Sequence, residues 1–254
     1  MKTKHVDILI PSRYASTRFP GKPFAMIGGK PMLERVYEQV RQSKLAHRVI
    51  IATDDQRIAN LVESFGGDYR MTRSDHPTGT DRLAEVAETL KDSDIFVNVQ
   101  GDEPLISPDA IDAAIRPLLE DDTVEMSTIA YPVTDPKAYE SPQLVKVVLD
   151  LNGFALYFSR LPIPLYRDGG ADTPRLGHAG LYVYRRETLI RLASLKPTPL
   201  EEAEKLEQLR ALENGIKIKV VVRPHRSPGV DVPEDLYAVE ALLAAQNVGA
   251  NISV

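Results

Sequence analysis

Val6-Asp7-Ile8-Leu9-Ile10, followed by a polar stretch from Pro11 to Lys22 and then a helical pattern opened by Pro31, decides the fold. The five residues are apolar apart from one aspartate, so they read as a strand buried on both faces. Proline suits the first helical turn, and Met32 to Ser43 reads as helix. The same unit then recurs. Arg48-Val49-Ile50-Ile51-Ala52 is a second apolar strand, and Thr53-Asp54 is expected to cap a helix from Asp55 to Phe65 that Gly66-Gly67 ends. Asp68 to Met71 gives a short strand, and Asp81 to Leu90 a helix with Thr80 as its cap. Ile95-Phe96-Val97-Asn98-Val99 is a third apolar strand, and Pro108 opens a helix to Leu119. Apolar strands alternating with helices of this length build a parallel sheet. The expected fold class is α/β: a Rossmann-like, mostly parallel sheet covered by helices on both faces, with a smaller mixed α+β insert.

The pattern changes downstream. Met126 to Val133 reads as a strand, and Leu144 to Leu149 and Phe154 to Phe158 flank Asn152-Gly153, a hairpin signal. Pro162 to Pro174 is polar and rich in Pro and Gly, hence a loop. Gly180 to Tyr184 is another strand. Leu206, Leu209 and Leu212 recur at helical spacing, and with the Glu201/Lys205 pair they predict one helix from Pro199 to Asn214. Ile216 to Val222 reads as a strand and Pro233 to Ala245 as a helix, with fraying expected after Gln246. The expected division is a nucleotide-binding core of residues 1–131 and 216–254, with an insert of residues 132–215.

Composition narrows the function. The 254 residues are 43% hydrophobic and 26% charged, ordinary for a folded chain and against disorder. No apolar run reaches the roughly 18 residues of a membrane span, and the start carries no leader pattern, so neither a membrane association nor secretion is expected. Cysteine is absent, which removes disulfides, thiolate nucleophiles and cysteine-based metal sites and fits a cytoplasmic protein. The balance of 31 basic and 36 acidic residues gives a net charge of −5, and tryptophan is absent. Nucleic acid is therefore not an expected partner. A local basic cluster can still hold a small anion.

Three clusters carry chemistry. Arg13-Tyr14-Ala15-Ser16-Thr17-Arg18-Phe19-Pro20-Gly21-Lys22 follows the first strand, where open α/β sheets bind ligands. Three cations and two hydroxyls suit a polyphosphate; the alternative is a solvated loop. No Walker motif or dinucleotide fingerprint is present. Asn98-Val99-Gln100-Gly101-Asp102-Glu103-Pro104 delivers an acidic pair to the end of the third strand, either a magnesium position in a nucleotide site or a turn with a local acceptor. Asp231, in Pro228-Gly229-Val230-Asp231-Val232-Pro233-Glu234-Asp235, is either a helix cap or a metal ligand brought beside Asp102. Weaker signals are Thr78-Gly79-Thr80-Asp81-Arg82 at a helix entrance, His178 and Tyr182 on one face of a strand, and Glu207-Gln208 on a charged helix.

Together these stretches resemble the 3-deoxy-manno-octulosonate cytidylyltransferase family. The resemblance runs from Ile8 to Leu236. It adds Ala52-Thr53-Asp54, Met71-Thr72-Arg73, Asp75-His76 with Gly79-Thr80, Val145 to Val148, Ala155 to Arg160, and Leu206 to Arg210. Ser12 stands where the family usually has alanine, Thr78 where it has serine, Ala179 where it has leucine and Val232 where it has threonine.

The resemblance implies a sheet of the nucleotide-diphospho-sugar transferase type and a transfer of CMP from CTP to 3-deoxy-manno-octulosonate (Kdo), for lipopolysaccharide assembly. It implies Mg2+ held by Asp102 and Asp231, with Arg13 and Lys22 stabilising the departing pyrophosphate. Pro11, Arg13, Ser16, Thr17, Arg18, Lys22, Arg73, Thr78, Gly79 and Asp102 would bind the nucleotide. Gln100, Arg160, His178, Tyr182, Glu207 and Gln208 would bind the sugar, Arg160 being the natural partner of its carboxylate. A homodimer paired through the insert is also implied. The rival readings are a cytidylyltransferase for another acidic sugar, such as 8-amino-Kdo or a nonulosonate, and a non-catalytic nucleotide-sugar sensor.

Overall fold

β1 (Val6–Ser12) lies inside the sheet, hydrogen-bonded in parallel to β4 (Arg48–Thr53) on one side and β6 (Ile95–Asn98) on the other. The computed structural model describes residues 4–15, 19–167, 173–224 and 227–250. Chain order explains the arrangement. β1 leads through α1 (Met32–Val40) to β4, and β4 through α2 (Gln56–Ser64) to the parallel edge strand β5 (Asp68–Met71). The chain then returns through α3 (Gly79–Thr89) to β6, on the opposite flank of β1. The strand order therefore reverses between β1 and β6, which opens a crevice beyond their carboxyl ends.

The remaining strands make the sheet mixed. After α4 (Pro108–Glu120), the order runs β11 (Ile218–Val222), β7 (Met126–Pro132), β10 (Leu176–Arg185), β6. β11 is parallel to β7, whereas β10 is antiparallel to both β7 and β6. β8 (Lys146–Leu149) and β9 (Ala155–Ser159) form the expected hairpin, docked on β10 through Lys146 and Gly177. β10 falls within residues 132–215, the expected insert, and it lies in the sheet between β6 and β7. Its apolar residues on both faces require that position, with Leu181 and Val183 in one core layer and Leu176 and Tyr184 in the other.

Helices cover both faces, as expected. One layer buries Leu33, Val36, Ile58, Val62, Ile111 and Ile115 of α1, α2 and α4 against Ile8, Ile10 and Val97. The other buries Leu83 and Val86 of α3, Leu189 and Leu192 of α6 (Arg186–Ser194), and Leu209 of α8 (Gln208–Glu213) against Leu9, Phe96 and Tyr184. A short hairpin of β2 (Met26–Ile27) and β3 (Lys30–Pro31) packs Ile27 with Val230 and with Val239 of α9 (Asp235–Ala250).

Several local expectations change. Thr78, not Thr80, caps α3, in a reciprocal capping box with Asp81. Asp55 caps α2 by accepting from Arg57 N. The helix expected over 199–214 is two, α7 (Pro199–Glu204) and α8, because Lys205 takes a left-handed conformation (φ 53°). α6 and the short α5 (Pro136–Glu140) were not anticipated. α9 starts at Asp235 rather than Pro233 and continues past Gln246. Among the described residues, no helix is long and apolar enough to cross a membrane.

Candidate active site

The loops after β1 and β6 border the crevice. Tyr14 anchors the first loop: its carbonyl accepts from Gly21 N at 3.2 Å, and Arg57 stacks on its ring at 3.3 Å. Gly21 adopts φ +70°, open to glycine at little cost, and turns the chain into a single 3-10 turn, Lys22–Phe24. That turn returns Lys22 to the crevice. The second loop needs Gly101, since a Cβ there would stand 3.2 Å from the Pro11 carbonyl oxygen.

Asp102 and Asp231 are 129 positions apart, and the fold brings them to one cation. Lys22 Nζ donates to Asp102 Oδ2 at 2.6 Å and lies 3.9 Å from Asp231 Oδ1. Backbone contacts hold this convergence. Val230 N donates to the Asp102 carbonyl at 2.9 Å. The Asp235 carboxylate accepts from Asp231 N at 2.7 Å and Val232 N at 3.0 Å. Asp235, not Asp231, therefore secures the entrance to α9, and the Asp231 side chain is left facing Lys22.

Two recesses meet at Gln100. The first is lined by Pro11, Ser12, Arg13, Lys22, Gly101 and Asp102, and holds about 160 Å³. The second, about 140 Å³, is lined by Gly79, Thr80, Asn98, Gln100, Tyr182, Tyr184, Glu207 and Gln208. The first thus gathers Pro11, Arg13, Lys22 and Asp102 of the residues expected to bind the nucleotide, whereas Gly79, expected with them, lines the second, which gathers four of the six expected to bind the sugar. Burial pushes the Glu207 carboxyl above the usual carboxylate range, against the opposing effects of a Thr80 hydrogen bond and Arg210. Burial also raises the phenols of Tyr182 and Tyr184.

His178 lies behind this wall. Its Nε2 is 2.9 Å from Thr128 Oγ1, and its ring centroid is 5.3 Å from that of Tyr182. The two share a face because β10 carries two extra residues, Gly180 and Leu181, between them, which preserves the alternation. Arg160 is not brought to either recess. Its guanidinium donates to the carbonyls of Pro142, Glu204 and Lys205. Arg73 lines a separate recess between α3 and α6, 3.4 Å from Asp75 and 3.9 Å from Glu85. The Thr78 hydroxyl is committed to its capping box. Ser16, Thr17 and Arg18 lie outside the described residues.

The sequence reading missed Tyr184 and Asn98 as lining residues. Tyr184 follows Tyr182 by one strand period, and Asn98 opposes Tyr182 across β6 and β10, so both were available once Tyr182 was singled out.

Among the described residues, no three His, Cys, Asp or Glu side chains gather as a metal cage. Two carboxylates remain, the donor set by which magnesium is commonly held when phosphate oxygens complete its shell. Asp102 and Asp231 fit that requirement.

Comparison with known proteins gives a consistent result. The model of a family described as cytidylyltransferase matches residues 8–218. The 3-deoxy-manno-octulosonate cytidylyltransferase of Syntrophotalea carbinolica is 53% identical over 246 residues, covering 94% of this chain and 98% of that protein. Its counterpart in Geobacter sulfurreducens is 53% identical over 245 residues, covering 92% of this chain and 98% of that protein. A solved structure of a CMP:2-keto-3-deoxy-manno-octonic acid synthetase complexed with CTP superposes with a TM-score of 0.91 at 41% identity, covering 96% of this chain and all of the other.

Proposed function

The chain belongs to the 3-deoxy-manno-octulosonate cytidylyltransferase family, and we propose on that premise that it transfers CMP from CTP to Kdo, releasing pyrophosphate. The product, CMP-Kdo, is the activated sugar for lipopolysaccharide assembly. The observation that carries the reading is the convergence of Asp102, Lys22 and Asp231 at the reversal point of the sheet.

The division of the crevice supports a division of the substrates. CTP takes the recess of Pro11, Arg13, Lys22 and Asp102, where the cations meet the triphosphate. Kdo takes the recess of Gln100, Tyr182, Glu207 and Gln208, whose amides, carboxyl and phenols suit a polyhydroxylated ring. The recesses meet at Gln100, so the anomeric hydroxyl of Kdo reaches the α-phosphorus. Its oxygen forms the new P–O bond, the bond to pyrophosphate breaks, and the hydroxyl proton passes to solvent. Arg13 and Lys22 stabilise the charge that grows on the leaving pyrophosphate. Asp102 and Asp231 hold Mg2+, which when bound lowers the pKa of an attacking hydroxyl and screens phosphoryl charge.

Leu151, Leu156, Leu161 and Leu165 are exposed along the β8–β9 hairpin and the loop after it, an apolar surface suited to homodimer pairing, which light scattering tests. With no cysteine in the chain, a reducing cytoplasm suits it.

The deciding assay follows pyrophosphate release from CTP with Mg2+. Release is expected with Kdo and is expected to stop when a chelator removes the metal. No release with Kdo, but release with 8-amino-Kdo or a nonulosonate, overturns the sugar assignment.

A further inference from the structure

The Lys22 side chain is largely enclosed, at 14% exposure, while the carboxylates it faces are more open, Asp102 at 34% and Asp231 at 63%. Two carboxylates that both reach within 4 Å of one point repel each other unless a cation lies there. Here the cation is the lysine itself, bonded to one carboxylate and within ion-pair distance of the other. We propose that the Lys22 ammonium stands in for the divalent cation in the nucleotide-free enzyme, closing the Asp102–Asp231 pair to metal until a triphosphate draws the lysine away. The inference rests on the assignment of this pair to the metal.

The side chain suits a movable counter-ion. Lysine is a compact point charge on a flexible four-carbon stem, whereas arginine presents a rigid fork that grips a carboxylate through two bonds. Lys22 also lines the recess assigned to the nucleotide, with Arg13 and Gly101. A triphosphate entering there offers the ammonium more negative charge than Asp102 alone. As Lys22 shifts to phosphate, its ammonium leaves the two carboxylates at the moment phosphate oxygens become available as further ligands. Metal and nucleotide then bind as a coupled pair, and the coupling is reciprocal: each raises the affinity of the other by the same factor. An enzyme built this way does not hold a divalent ion idle in an empty crevice.

The test needs no turnover. Mn2+ is titrated into the nucleotide-free full-length protein, and free ion is read by electron paramagnetic resonance. Wild type is expected to bind weakly. Lys22→Met uncovers the pair and is expected to bind Mn2+ more tightly by about tenfold, within the range usual for coupled sites. Lys22→Arg is expected to bind no better than wild type. Adding Asp102→Asn to Lys22→Met is expected to abolish the gain. Lys22→Gln, polar and of similar length, gives the same readout should the methionine variant fail to fold. Equal affinity in wild type and Lys22→Met, or a gain that survives Asp102→Asn, overturns the proposal. The sugar plays no part in this titration, so a failed Kdo assay leaves its result intact.

Discussion

The two recesses of the crevice are built on opposite principles. The nucleotide side is charged, partly open and shaped by backbone: Gly21 and Gly101 allow close turns, and Val230 N ties the Asp231 segment to Asp102. The sugar side is enclosed and shaped by side chains that are also core residues, with Tyr182 and Tyr184 on a central strand and Gln208 on a packed helix. An exposed charge cluster can exchange one partner for another at little cost to folding. A buried polar wall cannot, because each group relies on fixed neighbours. Substitutions on the first side should therefore alter rate and leave stability, while those on the second should alter both.

Asp102→Asn is the sharpest test of that difference. It keeps side-chain volume and removes the charge opposite Lys22. Turnover is expected to fall by about a thousandfold, a loss of the size seen when one group stabilising a transition state is removed. The thermal midpoint is expected to stay near wild type. A rate close to wild type, measured by pyrophosphate release, breaks the metal assignment. A large fall in the midpoint breaks the claim that this side is not part of the folding core.

Glu201→Ala probes the other side. Glu201 and Arg210 are buried and joined by two hydrogen bonds, of 2.8 and 2.5 Å. They lock α7 to α8 across the Lys205 break, and α8 carries Gln208 into the sugar wall. Removing the glutamate strands a buried guanidinium, which costs about 3–5 kcal/mol. Urea unfolding reads this directly. The KM for Kdo is expected to rise in the same variant while that for CTP changes little.

Glu207→Gln separates charge from shape within the sugar wall. Burial holds the Glu207 carboxyl above the usual carboxylate range, so the folded protein keeps its proton at a pH where the unfolded chain has lost it. That preference favours folding below the ordinary carboxylate pKa and is lost as pH rises towards the elevated value. Glutamine carries no such charge. The variant is expected to match wild type in acid and to become the more stable of the two as pH rises, a trend that urea midpoints across pH would reveal. Parallel profiles would show that Glu207 ionises without cost.

The same contrast governs what the sequence discloses. The nucleotide side is written in continuous stretches, Arg13 to Lys22, Asn98 to Pro104 and Gly229 to Asp231, because strand–loop–helix units place loop residues beside one strand end. The sugar side depends on strand order and side-chain packing, which local spacing does not carry. β10 falls within the expected insert, and it lies in the sheet between β6 and β7. Arg160 has the right charge for a carboxylate, yet its guanidinium is taken by three carbonyls. The break at Lys205 has no glycine or proline to announce it; the buried Glu201–Arg210 pair and the packing of Leu206 and Leu209 accompany a conformation that lysine disfavours alone.

Ser12→Ala carries the smallest expected effect and tests whether the nucleotide side is polar throughout. Ser12 ends β1 with its hydroxyl buried and with no hydrogen-bond partner among the described residues. A hydroxyl in that state costs the folded chain its lost hydration, so deleting it should be neutral or stabilising by about 1 kcal/mol. If the hydroxyl gains a partner only when nucleotide fills the recess it lines, the variant should also show a weaker stabilisation by CTP, read as a smaller rise in thermal midpoint. A destabilised nucleotide-free variant would mean that Ser12 is satisfied within the core, and the boundary between the charged recess and the apolar layer beneath it would then lie one residue further along β1.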